Sequence, residues 1–383
     1  MKILLMLLSV LAFSNVQAAF FKITPGNCTV TVGPATTDCS DSAELGTALT
    51  TLYTTIEEEA AANIPDVDGA NYLEGVANSS IVAGKGLSTD YATDFDLFVV
   101  GGGIGGGFDL GDTSLMDVSS DGLSTFKGAA IGGTFMGGFN LGFLPLPKLG
   151  FMNWDRAKIY FNFFSLNLDS FAEELSGDVS SFGTHIQYKL MEGQSIIPGK
   201  MLRWNGIDVS LGYEYSNFEF SYTYQFTDIS ADTGAAVDIP LPGGGTDPSE
   251  IGASLSGNAL LGAKITTHSI PIEVSTSLQT LYLFTPYMGF GADLNFGTAT
   301  AAIGGNTEVA LETDPGATAS LSTTANGSFD LLDGAEASPA SLSLRYFAGM
   351  QFNMWIFKGY VHYNANLAGG NIYGINAGLR VAW

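Results

Sequence analysis

Residues 372–383 read Ile372-Tyr373-Gly374-Ile375-Asn376-Ala377-Gly378-Leu379-Arg380-Val381-Ala382-Trp383. Tyr373, Ile375, Ala377, Leu379, Val381 and Trp383 share one parity; Gly374, Asn376, Gly378 and Arg380 share the other. Successive side chains of a strand point to opposite faces, so this stretch is a strand with one apolar and one polar face.

The same period recurs back along the chain. Phe98, Val100, Ile104, Phe108 and Leu110 share a parity, as do Ile131, Phe135, Phe139, Leu141 and Phe143. Phe182, Ile186, Tyr188 and Leu190 oppose His185, Gln187 and Lys189. Ile207–Tyr215 opposes Asp208, Ser210 and Glu214, and Phe218–Phe226 opposes Glu219, Ser221, Thr223 and Gln225. A tight turn at Ser216-Asn217 is expected to join these two runs as a hairpin. Ile270–Phe284, Met288–Phe296, Leu342–Met350 and Val361–Leu367 alternate likewise, with a turn expected at Thr285-Pro286. Fainter runs lie at Tyr160–Leu168, Ala259–Thr267 and Thr307–Thr313. With the final strand this makes about 13 runs, and a bacterial barrel needs an even number, so a barrel of roughly 12–14 strands is expected. The segments Asp228–Gly257 and Thr313–Pro339 read as long loops on one side of it, with short turns on the other.

Composition agrees. Charged residues make up 14% of the 383, against roughly a quarter in ordinary globular domains. Hydropathy is nevertheless positive overall, and beyond residue 18 no apolar run approaches the roughly 20 residues of a membrane helix. Strands that are half lipid-facing and half polar reconcile the two observations. The 49 Gly suit tight barrel interiors, and the 26 Phe and 15 Tyr suit aromatic girdles. A formal charge of −24 argues against a nucleic-acid partner.

The N-terminus carries the pattern of an export signal: Lys2, an apolar stretch Ile3–Phe13, and Val16-Gln17-Ala18 as a small-x-small cleavage site. The expected organisation is therefore a signal peptide at 1–18, a soluble N-terminal region at 19–93 and the transmembrane barrel at 94–383. Within 19–93, Cys28 and Cys39 are placed for a disulfide in an oxidising compartment, closing a short loop at about 2–3 kcal/mol. Asp41, with Glu44 three residues on, reads as a cap for one amphipathic helix whose stripe is Leu45, Leu49, Leu52, Tyr53 and Ile56. That stripe can pack on the chain's own barrel, as a plug or periplasmic cap, or on another subunit. Pro65-Asp66-Val67-Asp68-Gly69 reads as a turn; Ala70 and Asn71 break the spacing of a calcium loop.

A last strand with Tyr373, Leu379, Val381 and the terminal aromatic Trp383 resembles the C-terminal strand of bacterial outer-membrane β-barrels. The resemblance implies an antiparallel transmembrane barrel in the cell outer membrane of a Gram-negative-type envelope, with outer-membrane lipid and the barrel-assembly machinery as partners. In general layout, a barrel of this size with an N-terminal segment is similar to long-chain fatty-acid and hydrocarbon transporters. It is also similar to porin-like proteins of predatory bacteria, whose superfamily forms lipid-trapping oligomers.

No catalytic constellation emerges. Val99-Val100-Gly101-Gly102-Gly103-Ile104-Gly105-Gly106 matches a dinucleotide fingerprint, but it runs on into alternating strand residues instead of a helix, so it reads as a glycine-rich strand. His185, His268 and His362 lie far apart, with no nucleophile motif nearby. No enzyme activity, cofactor or metal is expected. The polar parity does gather both charge signs, at His185, Lys189, Asp208, Glu214, Glu219, Glu273, Asp293, Arg345, Lys358 and Arg380, with Lys264 beside them. These are the expected lumen-lining residues. They point first to a porin-like channel for small polar solutes. The alternatives are an oligomeric barrel that binds or transports hydrophobic ligands, and a structural or adhesive surface barrel.

Overall fold

The computed structural model describes residues 19–63, 69–111, 127–145, 153–169, 174–197, 201–314, 317–331, 336–368 and 370–383. The expected export signal at 1–18 and residues 64–68 of the expected turn lie outside the described residues. The chain opens with three short strands, β1 (Ala19–Thr24), β2 (Cys28–Val32) and β3 (Ala35–Asp38). Two helices follow, α1 (Ala43–Asn63) and α2 (Gly69–Gly84), where one was expected. Ser42, rather than Asp41, caps α1: its hydroxyl accepts from the Leu45 N–H at 3.3 Å, while Asp41 accepts from the Thr37 hydroxyl.

Ten strands then close an antiparallel ring. They are β4 (Phe98–Asp109), β5 (Gly128–Asn140), β6 (Ala157–Asn167), β7 (Leu175–Ile197), β8 (Leu202–Asp232), β11 (Ile251–Thr280), β12 (Phe284–Thr313), β16 (Leu342–Met354), β17 (Phe357–Ala368) and β18 (Ile372–Ala382). The final strand pairs with β4, and β12 pairs with β16, so the ring has no free end. Outside it lie the hairpin β9 (Val237–Pro240) and β10 (Thr246–Ser249), then β13 (Ser320–Thr323), β14 (Asn326–Leu331) and β15 (Glu336–Ala337).

The barrel class agrees with the sequence, but the count of 12–14 does not. Three expected pairs of runs are single long strands: Ile207–Tyr215 with Phe218–Phe226, Ala259–Thr267 with the Ile270–Phe284 run up to Thr280, and Met288–Phe296 with Thr307–Thr313. There is no turn at Ser216-Asn217, which pair in line with Ser181 and Ser180 of β7. Thr285-Pro286 is likewise inside β12, and the chain reverses at Leu281 and Tyr282, both at positive φ. That left-handed geometry closes the three-residue connection between the paired Thr280 and Phe284; without Gly or Asn there, nothing local marks it.

The continuity of these strands has a physical cause. In the lower half of β8, β11 and β12 the outward side chains are apolar, as with Leu211, Ile272, Val274, Phe290 and Leu294, all about half exposed. Above His268 and Phe296 the preference inverts. Phe220, Ala263, Ile265 and Ala299 point inward and are buried, while Glu219 and Lys264 face out and pair at 3.0 Å. Each strand therefore leaves the membrane partway along, and its apolar partner changes from lipid outside to helix inside. At the crossover, His268 stacks on Phe296 with ring centroids 4.9 Å apart and bonds the Tyr213 hydroxyl at 2.8 Å, an aromatic girdle of the kind that sits at a membrane interface.

Beyond the girdle the strand ends carry a lobe. Leu45, Leu49, Leu52, Tyr53 and Ile56 of α1 pack on Ile229, Ile239, Ile251, Leu255, Val309 and Leu311. β14 joins β1 to the edge of β12, and β2 pairs with β3 and β13. Cys28 and Cys39 are bonded. The segments read as long loops, Asp228–Gly257 and Thr313–Pro339, both belong to this end, although strand structure fills much of them. The opposite end holds the tight β11–β12 and β16–β17 turns.

Since Leu52 is 2% exposed within this lobe, Leu52→Ala should cost the lobe about 2–5 kcal/mol. Limited proteolysis should then cut residues 19–63 sooner, while the ring keeps its protection.

Candidate functional site: the occupied lumen

Inside the ring the chain threads itself. α2 lies against β4, β5 and β18, and the segment after it descends from the lobe end to the start of β4. Glycines on the inner face make the approach possible. A Cβ on Gly107 would strike the Ser79 carbonyl, one on Gly128 the Val76 amide, and one on Gly132 the Ala83 carbonyl at 3.2 Å. The glycine-rich strand of the sequence is thus a bed for a helix, with backbone approaching backbone. Leu73, Val76 and Ala77 bury their side chains against Phe220, Ile265 and Ala299.

Below α2 the contacts become ionic. The Lys85 ammonium donates to Glu214 Oε2 at 2.6 Å and Ser269 Oγ at 2.9 Å, and lies 3.3 Å from Asp293 Oδ1. Ser88 donates to the other Glu214 oxygen at 2.9 Å, and His185 Nε2 sits 3.2 Å from it. Arg345 spans two carboxylates, donating from Nε to Asp293 at 2.8 Å and from Nη2 to Glu273, while Nη1 reaches Asn364 at 2.8 Å. The Tyr91 hydroxyl donates to the remaining Glu273 oxygen at 2.8 Å. Arg380 holds the descending backbone itself, donating to the carbonyls of Thr89 at 2.8 Å and Gly86 at 3.2 Å beside Asp90 at 3.2 Å, with Tyr360 stacked beneath it. Asn364 and Asn376 both donate to the Lys85 carbonyl. At the lower mouth Asp94 receives Lys158 at 3.0 Å and Lys189 at 2.6 Å.

Of the expected lumen residues, His185, Lys189, Asp208, Glu214, Glu273, Asp293, Arg345 and Arg380 therefore do face the interior. Glu219 does not: the continuous β8 turns it outward onto Lys264. Lys358 shares the inward face at the lower mouth, opposite Arg380 on β18, and donates to the Trp355 carbonyl at 2.6 Å. Of the histidines, His362 is buried among the Tyr91, Tyr287 and Phe347 rings, whereas His268 belongs to the outer girdle. The stripe Leu45, Leu49, Leu52 and Ile56 is covered by this chain's own strands, which leaves it no open face for a second subunit. Among the described residues no cluster of three or more metal-ligating side chains occurs.

Lys85, Asp90, Tyr91 and Asp94 escaped the sequence reading because nothing local marks them. The signal that could have found them was the wall: a run of inward glycines on β4 and β5 needs something large opposite.

A closed antiparallel ring with an apolar outer band, an aromatic girdle and an ion-paired plug is a transmembrane β-barrel of the outer-membrane type. Residues 28–383 match the family model described as Lsa36-like, so the chain belongs to that family. No curated protein matches the sequence. Among solved structures, the chain is similar to the Acinetobacter baumannii outer membrane protein Omp33 at 8% identity, covering 76% of this chain and all of that one (TM-score 0.25). It is similar to the transport unit of the Escherichia coli autotransporter AIDA-I at 10% identity, covering 82% and 99% (TM-score 0.30). For the P. putida toluene transporter TodX the identity is 10% and the coverage 81% and 99% (TM-score 0.22).

Arg345→Ala leaves Glu273 buried without its cation and Asp293 with Lys85 alone, and should cost about 3–5 kcal/mol. Lys264→Ala, which breaks an exposed pair, should cost about 0–1 kcal/mol. Urea unfolding in detergent micelles measures both. Gly107→Val forces α2 off its bed, so protease should reach residues 69–95 in that variant and spare them in the parent chain.

Proposed function

We propose that this protein is a plugged barrel that works as a rigid membrane mount, holding its disulfide-bearing lobe and acidic loops outside the cell. The reading is non-enzymatic and develops the expectation of a structural surface barrel. What carries it is the threading. α1 and the short strands stand at the long-loop end, which in outer-membrane barrels is the exterior, and α2 with residues 85–95 fixes them through the lumen.

A porin-like diffusion path is the weaker reading. A water-filled lumen would wet its lining, yet Arg345 is 0% and Arg380 1% exposed. Ten strands stand just above the size at which side chains alone fill a barrel, and here a helix enters as well. The ligand-handling reading draws on a different observation, a small cavity between α2 and the strands β5 to β8 and β11.

In planar bilayers the purified chain should be silent, and a Lys85→Ala/Arg380→Ala variant should flicker open as the plug loosens. Stable steps from the unaltered chain, scaling with salt, would overturn the plugged reading and restore the channel. The mount itself is tested on intact cells: an epitope inserted at Gly244 and one at Gly33 should both bind antibody, and a Gly33 epitope reached only after lysis would sink it.

A further inference from the structure

One contact in the plug is close without being a hydrogen bond. Lys85, the first residue past α2, has its ammonium 3.3 Å from Asp293 Oδ1, yet that oxygen is buried with no hydrogen-bond partner among the described residues. The ammonium donates instead to Glu214 Oε2 at 2.6 Å and Ser269 Oγ at 2.9 Å. An ammonium has three hydrogens, and two of them are engaged there. The other Asp293 oxygen, Oδ2, accepts from Arg345 Nε at 2.8 Å. Asn364 and Asn376 fix the Lys85 carbonyl, so the residue is held at both ends. Lys85 and Asp293 are each 1% exposed.

This arrangement supplies each part that joining an amine to a carboxyl group requires. Reacting groups held in contact replace a bimolecular encounter with a very high effective concentration. Glu214 stands beside the nitrogen as a proton acceptor, and Ser88 fixes its second oxygen at 2.9 Å. Arg345 Nε lies on the oxygen that gains negative charge when the carboxyl carbon is attacked. Burial excludes the bulk water that would reverse the step. The neighbouring pairs each lack a part. Arg345 and Arg380 offer guanidinium groups, which stay protonated and do not attack, and Lys158 and Lys189 meet Asp94 where it is 35% exposed.

We propose that Lys85 and Asp293 condense into an intramolecular amide that ties the plug covalently to β12. The ion pair in the structure is the reactant. Glu214 takes one proton from the ammonium and passes it to Asp293 Oδ1. The freed amine forms the N–Cγ bond, and the carbonyl electron pair moves onto Oδ2 beside Arg345. A second proton travels from the nitrogen through Glu214 to Oδ1, the Cγ–Oδ1 bond breaks, and one water leaves. Oδ2 remains as the amide oxygen on Arg345 Nε, and the remaining N–H donates to Glu214 or Ser269. An ammonium and a carboxylate become an amide and a water, with no oxidant, reductant or cofactor, and one pair of opposite charges disappears from the buried core. The inference rests on the plugged reading and deepens it, since a mount fixed through its lumen gains a permanent tie.

The test is intact mass spectrometry of the full chain, refolded from inclusion bodies into detergent micelles, sampled over time, then denatured and reduced. The mass should fall by one water as the barrel forms. Trypsin on the denatured product should leave Lys85 uncut and release one branched peptide joining residues 85 and 293. Lys85→Arg keeps the charge and removes the amine, so it should hold its full mass. Glu214→Gln keeps the hydrogen bond and removes the proton acceptor, so it should lose water about a hundredfold more slowly. Each variant is first checked for the heat-dependent gel shift of a folded barrel; if Glu214→Gln does not fold, the parent and Lys85→Arg decide. A folded parent that keeps its full mass and is cut at Lys85 would overturn the proposal. A branch from Lys85 to Glu214 would overturn the assignment to Asp293, and water loss at the parent rate in Glu214→Gln would overturn the relay. The readout is taken on denatured chain, so it is separate from conductance and surface epitopes: a silent barrel with an exposed lobe and full mass keeps the mount and loses the bond.

Discussion

The Lys85 ammonium sits 1% exposed inside a membrane barrel, and a charge there persists only when matched. Glu214, Asp293 and Ser269 match it, each from a different wall strand. Through those partners it ties β8, β11 and β12 to the threaded segment. Arg345 closes the same cluster from β16 by sharing Asp293, and Arg380 repeats the device from β18 on the carbonyls of Gly86 and Thr89. The interior is therefore a polar core with fixed partners, and the ring and its plug form one folded unit.

The plug also accounts for the uneven wall. β4 and β5 are glycine-lined because helix backbone lies directly on them, whereas β8, β11 and β12 offer Phe220, Ile265 and Ala299 to the far side of α2. The same three strands run on past the girdle to carry the lobe. Where the glycine-lined part of the wall meets β6, β5 pairs with it only from Phe135 to Asn140 among the described residues. Crowding by α2 at Gly128 and Gly132 and the bond from Ser181 to the Gly133 carbonyl occur together there.

Much of this was legible from residues in order. Period-two alternation gives strands, and the outward runs from Phe98 to Phe108 and from Tyr373 to Val381 are the lipid-facing ones in the structure. Nine of the ten residues expected in the lumen lie on its face, because parity alone sets the face once a strand is continuous. Glu219 went astray for the same reason inverted. A strand whose apolar partner moves from outside to inside changes parity without any turn, and a single sequence cannot tell that change from a hairpin.

By itself, then, the sequence determined an antiparallel barrel with an apolar exterior, a charged interior, a disulfide partnership and an amphipathic helix, all of them local periodicities or short spacings. Only the tertiary structure decided that the ring has ten strands, that a second helix enters it, and that the interior charges neutralise one another instead of facing water. Those outcomes depend on which distant groups meet: Lys85 and Asp293 are separated by most of the barrel in sequence and by 3.3 Å in space. No local pattern encodes such a pairing, because its energy arises only once the wall has closed around both charges.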